Sequence, residues 1–329
     1  MTGSSGTAVV FGGSGFIGRH LLAALVKRGH LVVSADIAPL DPPIAGVRAA
    51  LCDVRRPIPD ELVPRSPGNA PSIVYNLAAI HRTPGHPDRE YYDCNVSGAL
   101  NVTTFCRDLA VPRLIFTSSI SVYGPAEQAK HEDSSPAPES PYGSSKLQAE
   151  AIHRNWQSER DGRRLTIVRP AVVFGPGEHG NFTRLAQALR GRRFLYPGRR
   201  DTIKACGHVD ELLATFDFAD ALGRPFFLYN FCYPRDYSIA EICEAFHRVA
   251  GLPLPWGTLP YAGMRLAAQP FEWLAKVGIE TGIHRERIDK LVRSTRIEPR
   301  ALAGAGYVFG TDLESGLARW RDATQGRFV

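Results

Sequence analysis

The chain has 329 residues, of which 44% are hydrophobic, and a formal net charge of +6 at neutral pH. This length is enough to bury one large core or two moderate ones. No run of eighteen apolar residues occurs, so we expect no stable membrane insertion. Residues 1–10 lack both a basic region and a cleavage signal, so we expect a cytoplasmic protein rather than a secreted one.

The excess of positive charge comes from arginine and is scattered, with one local cluster between residues 190 and 204. Such a cluster is either a solvated surface or a site for an anionic substrate, because guanidinium groups match phosphate oxygens with paired donors. No nucleic-acid-binding motif occurs, so we expect no nucleic-acid partner. No Cys-x-x-Cys pair occurs either, which favours reduced thiols and predicts neither a disulfide framework nor a metal site. The six cysteines are Cys52, Cys94, Cys106, Cys206, Cys232 and Cys243.

The first elements of the chain follow a pattern that is typical of dinucleotide binding. An apolar strand at 7–11 runs into Gly12-Gly13-Ser14-Gly15-Phe16-Ile17-Gly18, and a helix with one apolar face continues to about Gly29. The next strand, 31–35, ends in Asp36. Glycines allow a tight turn and a close backbone approach, while the helix amino terminus attracts pyrophosphate. This order of elements therefore predicts a dinucleotide site.

The acid at position 36 predicts which dinucleotide is bound. A carboxylate accepts hydrogen bonds from both hydroxyls of the adenosine ribose. The same carboxylate repels a 2′-phosphate, because the two groups carry like charges. Asp36 therefore favours NAD over NADP as the cofactor.

Strands and helices continue to alternate through the first half of the chain, which indicates a parallel, doubly wound sheet of the α/β class. Ligands bind at the carboxyl ends of the strands in such sheets. We therefore expect Gly12, Ala79 and Ser119 to converge. The predicted elements are a strand at 72–77, a helix at 91–109 and a strand at 113–117.

Three side chains near the middle of the chain carry candidate catalytic chemistry. Tyr142 and Lys146 are four residues apart on a helix that starts at a proline, so they share one face. An ammonium beside a phenol favours the phenolate, so we expect Lys146 to lower the pKa of Tyr142 from about 10. Tyr142 is then a general acid/base, and Ser119 is placed to hydrogen-bond the same reacting oxygen. A Tyr-x-x-x-Lys spacing also arises by chance in many helices, and it gains weight here from the dinucleotide pattern.

The second half of the chain alternates less regularly. The predicted elements are a strand at 165–168, a helix at 181–191, a strand at 226–231, a helix at 239–250 and a helix at 261–278 interrupted by Pro270. For the last of these helices we favour packing against the protein, with a weak membrane-surface contact as the alternative. We expect residues 1–175 to form the NAD-binding domain and residues 176–329 mainly the substrate-binding region, part of which returns to the sheet.

Taken together, these motifs resemble the extended short-chain dehydrogenase/reductase superfamily, and within it the NAD-dependent epimerase/dehydratase family that acts on nucleotide sugars. The resemblance spans nearly the whole chain and implies a Rossmann-type fold, bound NAD and a homodimer built from the helices of Asn95 and Tyr142. The motifs that carry it are Gly12-x-x-Gly15-x-x-Gly18, Asp36, Asp53-Val54, Asn76-Leu77-Ala78-Ala79, Asn95, Thr117-Ser118-Ser119, Tyr142-x-x-x-Lys146 and Arg169-Pro170.

The resemblance also implies a role for each matching residue. Asp53 and Val54 would bracket adenine, Lys146 would hold the nicotinamide ribose, and Asn95 would be mainly structural. The implied cofactor-binding residues are Gly12, Gly15, Phe16, Ile17, Gly18, Asp36, Asp53, Val54, Leu77, Ala78, Ala79, Asn95, Tyr142, Lys146 and Pro170.

A second implied set would bind the substrate, a UDP-sugar. Some of its members have plain structural alternatives, namely a helix cap for Asn181 and core packing for Tyr196. A surface loop is the alternative for both His81 and Arg82. The implied substrate-binding residues are Ser119, Ser121, His81, Arg82, Asn181, Tyr196 and Lys204.

The residues after Ser119 discriminate among the reactions of the family. Relatives that are 4,6-dehydratases carry an acidic pair there, and 3,5-epimerising relatives carry a cysteine, whereas this chain has Ile120 and Ser121. The resemblance therefore favours 4-epimerisation, in which C4 of the sugar is oxidised and hydride returns to the other face. The alternatives are a one-way nucleotide-sugar dehydrogenase or 4-ketoreductase, after it a 4,6-dehydratase and, as a non-enzyme, an NAD-sensing protein of the same fold.

Overall fold

The computed structural model describes residues 6–63, 70–81, 85–262 and 292–329. Strands and helices alternate along most of these residues, as predicted. The strands are Thr7–Phe11 (β1), Leu31–Asp36 (β2), Val47–Leu51 (β3), Pro71–Asn76 (β4), Arg113–Thr117 (β5), Ala126–Lys130 (β6), Arg164–Pro170 (β7), Val172–Phe174 (β8), Tyr196–Pro197 (β9), Cys206–His208 (β10), Phe226–Phe231 (β11), Thr258–Leu259 (β12) and Thr295–Ile297 (β13). The α-helices are Phe16–Lys27 (α1), Asp88–Tyr92 (α2), Gly98–Asp108 (α3), Pro141–Ser158 (α4), Asn181–Arg190 (α5), Val209–Ala221 (α6), Ile239–Ala250 (α7), Arg300–Gly304 (α8) and Leu313–Ala323 (α9).

Seven of the strands form one parallel sheet in the order β11-β7-β5-β4-β1-β2-β3. The chain order reverses at β1, which pairs with β2 on one side and β4 on the other. In a doubly wound sheet this reversal opens a crevice at the carboxyl ends of the strands. The predicted fold class, a Rossmann-type α/β protein, is confirmed.

Both faces of the sheet are buried, as the strand sequences predict. Side chains alternate along β1, so Val9 and Phe11 belong to one core cluster while Ala8 and Val10 belong to the other. The first cluster contains side chains of α3 and α4, and the second contains side chains of α1 and α6. Parallel sheets that are covered on both faces have such continuous apolar strands, which accounts for the clarity of the sequence signal.

Most predicted elements are present within a residue or two of the expected bounds, and the strand at 226–231 and the helix at 239–250 match at both ends. The predicted helix at 91–109 is divided, because a π-helical turn at Asp93–Ser97 separates α2 from α3. The helices α6 and α9 were missed. The predicted helix at 261–278 lies almost wholly outside the described residues.

The later part of the chain builds a smaller body that adjoins the sheet. Its core is aromatic and includes Phe174, Phe182, Phe246 and Trp320 from β8, α5, α7 and α9. Three two-stranded pairs accompany it, namely β8 with β10, β9 with β12 and β6 with β13. Across the described residues, no helix is both long and apolar enough to cross a membrane.

Candidate active site

The glycine-rich turn lies directly after β1 and is held by main-chain contacts. Gly12 donates its N–H to the carbonyl of Ala35 at 2.9 Å and has a φ of +80°, which favours glycine. A Cβ at position 12 would lie 2.8 Å from the backbone nitrogen of Ala78. A Cβ at Gly18 would lie 2.2 Å from the Gly12 carbonyl oxygen. The turn therefore requires glycines because the ends of β1 and β4 and the start of α1 meet there.

The amino terminus of α1 is available to an anion. Gly15 is its N-cap and supplies no side-chain hydrogen bond, so the amides of Phe16, Ile17 and Gly18 have no side-chain cap. Free amides and the helix dipole together favour a phosphate at this position. The turn and α1 thus have the features that the pyrophosphate of NAD requires.

Asp36 is fixed beside this turn at the end of β2. One carboxylate oxygen accepts a hydrogen bond from the Ser14 amide at 3.0 Å, and the other accepts from the Ala38 amide at 3.0 Å. These bonds orient the carboxylate at the sheet edge where the ribose of a dinucleotide is expected. The site of Asp36 therefore fits the predicted selectivity for NAD.

Asp53 and Val54, which were predicted to bracket adenine, follow β3. The Asp53 carboxylate pairs with Arg55 at 2.7 Å, and this guanidinium lowers the pKa of Asp53 below its usual range. Val54 is buried, and its carbonyl accepts a hydrogen bond from the side-chain NH₂ group of Asn101 at 2.8 Å. Val54 therefore ties this loop to α3, and the contact of both residues with adenine stays a prediction.

The carboxyl ends of four neighbouring strands converge, as expected. The Leu77 amide donates to the Phe11 carbonyl at 2.9 Å, and the Ser118 amide donates to the Val168 carbonyl at 2.7 Å. The Thr117 hydroxyl bridges β5 to β4 by donating to the Asn76 carbonyl at 3.2 Å. These bonds place Ala78, Ala79, Ser119 and Pro170, which follow or end the strands, at one edge of the sheet.

Asn95 lies at the centre of the π-helical turn and joins this edge to α4. Its amide oxygen accepts from the Ile80 N–H at 3.0 Å, and its NH₂ group donates to the Ile80 carbonyl and, at 2.9 Å, to the Ser145 hydroxyl. Single-turn π segments are frequent at functional sites because they redirect a side chain. The implied structural role of Asn95 thus has a direct basis, since it holds the loop after β4 against the helix of Tyr142.

Tyr142 and Ser119 meet where α4 begins. Ser140 is the N-cap of this helix, and its hydroxyl accepts a hydrogen bond from the Gly143 amide at 3.2 Å. Pro141 occupies the first turn of the helix. Ser119 caps a short 3₁₀ turn by accepting from the Ser121 amide at 3.1 Å. Its side chain also lies beside the Tyr142 phenol and acts to lower the pKa of that phenol. The predicted serine–tyrosine pair is therefore assembled.

Lys146 lies on the same helix face with its ammonium buried. Its Nζ donates to the Thr117 carbonyl at 2.8 Å and lies 4.9 Å from the Phe116 ring centroid. Burial lowers the pKa of Lys146 to about 8 and raises the pKa of Tyr142 to about 12. The prediction of a lowered tyrosine pKa is thus wrong for the protein alone, because burial of the phenol outweighs the opposing effect of the neighbouring Ser119 hydroxyl on its pKa.

Sequence reasoning missed a buried polar network behind these residues. Glu150, on the same helix as Lys146, forms a bidentate pair with Arg169 at 2.6 and 2.8 Å, and both side chains are 5% exposed. The Ser118 hydroxyl donates to Glu150, and Arg169 donates to the Tyr123 hydroxyl at 2.7 Å. The spacing of Glu150 four residues after Lys146 is the signal that was available in the sequence. The network connects α4, β5 and β7 beneath the catalytic side chains.

A neutral histidine completes the buried surroundings of α4. His153 lies with its ring stacked on Phe116 at 4.1 Å, its Nδ1 is 2.7 Å from the Ala149 carbonyl, and its Nε2 is 3.1 Å from the Asn76 NH₂ group. These partners fit an imidazole that donates through Nδ1 and accepts through Nε2. Burial lowers the pKa of His153 to about 3.

We expect His153 to make stability fall at acid pH. The unfolded chain binds a proton near pH 6.5 that the folded protein does not take up until about pH 3. One such proton changes the free energy of unfolding by about 1.4 kcal/mol per pH unit in this window. Urea unfolding of His153→Phe at pH 4 to 6.5 should show a slope smaller by about that amount. The exposed His86→Gln variant is the control, and equal slopes in both variants would contradict the assignment.

The predicted substrate residues have local roles of their own. Asn181 is exposed at the first position of α5, where Gly180 is the N-cap, so the helix-cap alternative is wrong. Tyr196 is buried in the aromatic core, which agrees with the packing alternative. Lys204 donates to the Arg293 carbonyl at 2.8 Å, and burial lowers its pKa to about 8. These contacts do not place the three residues beside Tyr142, and their contact with substrate stays a prediction.

The remaining candidates lie at the edges of the site. Ser121 accepts a hydrogen bond from the Ser119 hydroxyl at 3.1 Å, so it belongs to the catalytic cluster. His81 is exposed in the loop after β4. Arg82 lies outside the described residues.

We expect Gly12→Ala to separate close packing from backbone strain. Gly12 and Gly29 have nearly equal φ values of +80° and +81°, but a Cβ at Gly29 meets nothing within 4 Å. Alanine at either position has to adopt the left-handed backbone conformation, which costs about 1 kcal/mol of stability. Only Gly12→Ala also drives a methyl into Ala78, so it should lose more stability and weaken NAD binding at least about tenfold. Urea unfolding and calorimetric titration with NAD check this, and equal losses in the two variants would count against the packing argument.

Comparison with known proteins agrees with this geometry. The model of the NAD dependent epimerase/dehydratase family matches residues 8–223, more than half of the chain. A UDP-glucose 4-epimerase of Yersinia pestis is 29% identical over 312 residues, which cover 80% of this chain and 91% of that protein. An N-acetyl-α-D-glucosaminyl-diphospho-ditrans,octacis-undecaprenol 4-epimerase of Escherichia coli O157:H7 is 29% identical over 246 residues, 74% of each chain.

A solved structure is similar over almost the whole length. MoeE5 in complex with UDP-glucuronic acid and NAD has a TM-score of 0.77 and 26% identity, and the match covers 97% of this chain and 99% of that one. The chain belongs to the NAD dependent epimerase/dehydratase family. The predicted family and NAD as cofactor are thereby confirmed, and both of these relatives are 4-epimerases.

Proposed function

We propose that this chain inverts C4 of a hexose carried on UDP, with Ser119, Tyr142 and Lys146 as its proton-handling residues. The observation that carries the proposal is the Ser119 hydroxyl beside the Tyr142 phenol, at the edge of the sheet where the glycine-rich turn begins. Bound NAD would supply the hydride acceptor and donor for C4. Gly12, Asp36 and the amino terminus of α1 are the parts of the chain that would hold it.

Tyr142 performs the proton transfer in this proposal. Its phenolate oxygen takes the proton of the C4 hydroxyl and gives it back after the sugar has turned over. Ser119 orients the same hydroxyl, and the Lys146 ammonium favours the phenolate from one helical turn away. The pKa of Tyr142 is about 12 in the protein alone. Positive charge added when the site is occupied therefore has to lower this pKa before the phenol loses its proton.

The 3₁₀ turn after Ser119 supports epimerisation over dehydration. Elimination of the C6 hydroxyl needs an acid and a base in addition to the tyrosine. The turn offers Ile120 and Ser121 instead, and the Ser121 hydroxyl is already bonded to Ser119. A one-way dehydrogenase or reductase would use the same three residues, so the product must decide between the two.

Proton NMR of the anomeric region is the deciding experiment. The purified protein is incubated with NAD and, separately, with UDP-glucose, UDP-N-acetylglucosamine or UDP-glucuronate and their C4 epimers. We expect the same mixture of epimers from either side, with no net NADH absorbance at 340 nm. A 6-deoxy-4-keto product, or NADH formed in step with substrate loss, would overturn the proposal.

A polyprenyl diphosphate is the second candidate for the carrier of the sugar. The observation that favours it is the similarity to the undecaprenol-linked 4-epimerase of Escherichia coli O157:H7, which covers 74% of this chain. Both carriers join the sugar through a diphosphate, so the proton chemistry at C4 is the same. Only the contacts beyond the diphosphate differ.

We further propose that the protein is a cytoplasmic homodimer, and that its two regions bind cofactor and substrate as expected from the sequence. The six cysteines are free thiols in the structure, which suits a reducing compartment. Leu100 on α3 is 50% exposed and lies on one of the two helices implied in dimerisation. Residues 1–175 would bind NAD, and residues 176–329 mainly the substrate. Sedimentation equilibrium of Leu100→Glu beside the unmodified protein tests the dimer, and a monomer in both would overturn it.

A further inference from the structure

The described surface has one concentrated group of exposed apolar side chains. Ten large hydrophobic residues are exposed in the described ranges, and four of them fall between residues 254 and 261. They are Leu254, Trp256, Leu259 and Tyr261, with exposed fractions of 47%, 77%, 42% and 37%. Single exposed hydrophobic residues are normal on a protein, but such a cluster usually marks an interaction surface.

Arginine residues lie next to this group. The strand β9 pairs with β12, with Tyr196 opposite Thr258 and Pro197 opposite Leu259, so this pairing joins the segment 190–200 to the apolar group. Residues 190–200 contain five arginines and no acidic residue. Arg192, Arg193 and Arg200 are exposed. Arg200 links the two strands, because its Nε donates to the Thr258 hydroxyl at 3.2 Å and its guanidinium lies 5.0 Å from the Tyr196 ring centroid.

We call Arg192, Arg193, Arg200, Leu254, Trp256 and Leu259 the basic–apolar patch. It adjoins the predicted substrate residues along the chain, since Tyr196 is in β9 and Lys204 follows Arg200 by four residues. Arg199 fixes this stretch by pairing with Glu127 at 2.6 Å, on the strand that follows the Ser119 turn. A ligand on the patch would therefore be close to where the carrier end of the substrate is expected.

We propose that the basic–apolar patch docks on an anionic lipid bilayer and thereby presents the active site to sugars carried on a polyprenyl diphosphate. This proposal rests on the second carrier of the proposed function. Arginines attract anionic headgroups, while Trp256 and the two leucines enter the headgroup boundary. The charge of the patch is thus complementary to a cytoplasmic leaflet. Its apolar group is too short to span the bilayer and suits surface contact.

Vesicle sedimentation tests the docking. The full-length protein is mixed with vesicles of phosphatidylcholine alone or with 30% phosphatidylglycerol, at low and high salt. We expect binding to the anionic vesicles that weakens with salt. Trp256→Ser and the double variant Arg192→Glu/Arg193→Glu should each lower the vesicle affinity at least about tenfold. Absence of binding to the anionic vesicles would overturn the proposal.

Matched surface variants identify the patch as the cause. Val308 is 84% exposed and Arg160 is exposed, and both lie outside the patch. Val308→Ser and Arg160→Glu should keep the vesicle affinity of the unmodified protein. If either control loses as much affinity as its partner in the patch, the patch is not the docking surface. Loss of self-association in Trp256→Ser without any vesicle binding would assign the patch to a second copy and also overturn the proposal.

Turnover measurements separate this proposal from the proposed function. Polyprenyl-diphosphate-linked N-acetylglucosamine in anionic vesicles is compared with UDP-N-acetylglucosamine in solution. We expect Trp256→Ser to lower turnover of the vesicle substrate at least about tenfold and to leave turnover of any soluble substrate unchanged. Equal turnover of the vesicle substrate by both proteins would overturn the docking role. If neither substrate is epimerised while patch-dependent vesicle binding persists, the proposed function fails and the docking surface stands.

Discussion

Tyr142→Phe is expected to lower the turnover number by about 10³-fold while NAD binding is retained. The variant removes one oxygen, which lies beside the Ser119 hydroxyl and is the atom that we propose to exchange the proton of the C4 hydroxyl. Because the ring is kept, the packing of α4 against the strand ends should not change. The binding of NAD depends instead on the glycine-rich turn and Asp36. NMR time courses measure the turnover number, and calorimetric titration with NAD measures NAD binding separately.

Tyr91→Phe is the matched control for this variant. Tyr91 is 1% exposed, and its ring centroid lies 6.4 Å from that of Tyr142. It is therefore a buried tyrosine of the same neighbourhood. We expect its loss of turnover to be less than about tenfold, since it takes no part in proton transfer. A Tyr142→Phe protein that keeps a tenth of the turnover would remove Tyr142 from the proposed mechanism.

The parts of the site that the sequence predicts are those encoded by neighbouring residues. The glycine-rich turn, Asp36 at the end of β2 and the Tyr142–Lys146 spacing each lie within a few residues of a clear strand or helix. Their relative positions then follow from the parallel sheet, whose strand ends share one edge. This is why the convergence of the β1, β4 and β5 ends was predictable from an apolar pattern alone.

The parts that were not predicted depend on contacts between distant segments. The β6–β13 pair joins residues more than 160 positions apart, and nothing local marks either strand. The pKa of Tyr142 was assigned the wrong direction for the same reason. The spacing places Lys146 on the correct face, but the burial of the phenol depends on how the whole loop after β5 packs over the helix.

Glu150→Gln is expected to lower the free energy of unfolding by about 3–5 kcal/mol. The carboxylate makes two charge-assisted bonds with Arg169, and the variant leaves that guanidinium buried without a compensating charge. Glu159→Gln is the matched control at the end of the same helix. Its carboxylate also binds arginine, through Arg107 at 2.6 Å and Arg163 at 2.9 Å, but its side chain is 40% exposed. Solvent compensates an exposed pair, so we expect a loss of less than about 1 kcal/mol there.

Replacing both partners of the buried pair separates its contribution from the cost of an unpaired charge. In Glu150→Leu/Arg169→Met no charge is left behind, so stability should recover most of what Glu150→Gln loses. Turnover should not recover with it. Glu150 lies on α4 one turn beyond Lys146, and its pairing with Arg169 ties this helix to β7, so the two charges fix the height of Lys146 and Tyr142 above the strand ends. Urea unfolding measures stability and NMR measures turnover, each for the unmodified protein, Glu150→Gln and Glu150→Leu/Arg169→Met. A double variant that restores turnover together with stability would mean that the pair only supports the fold.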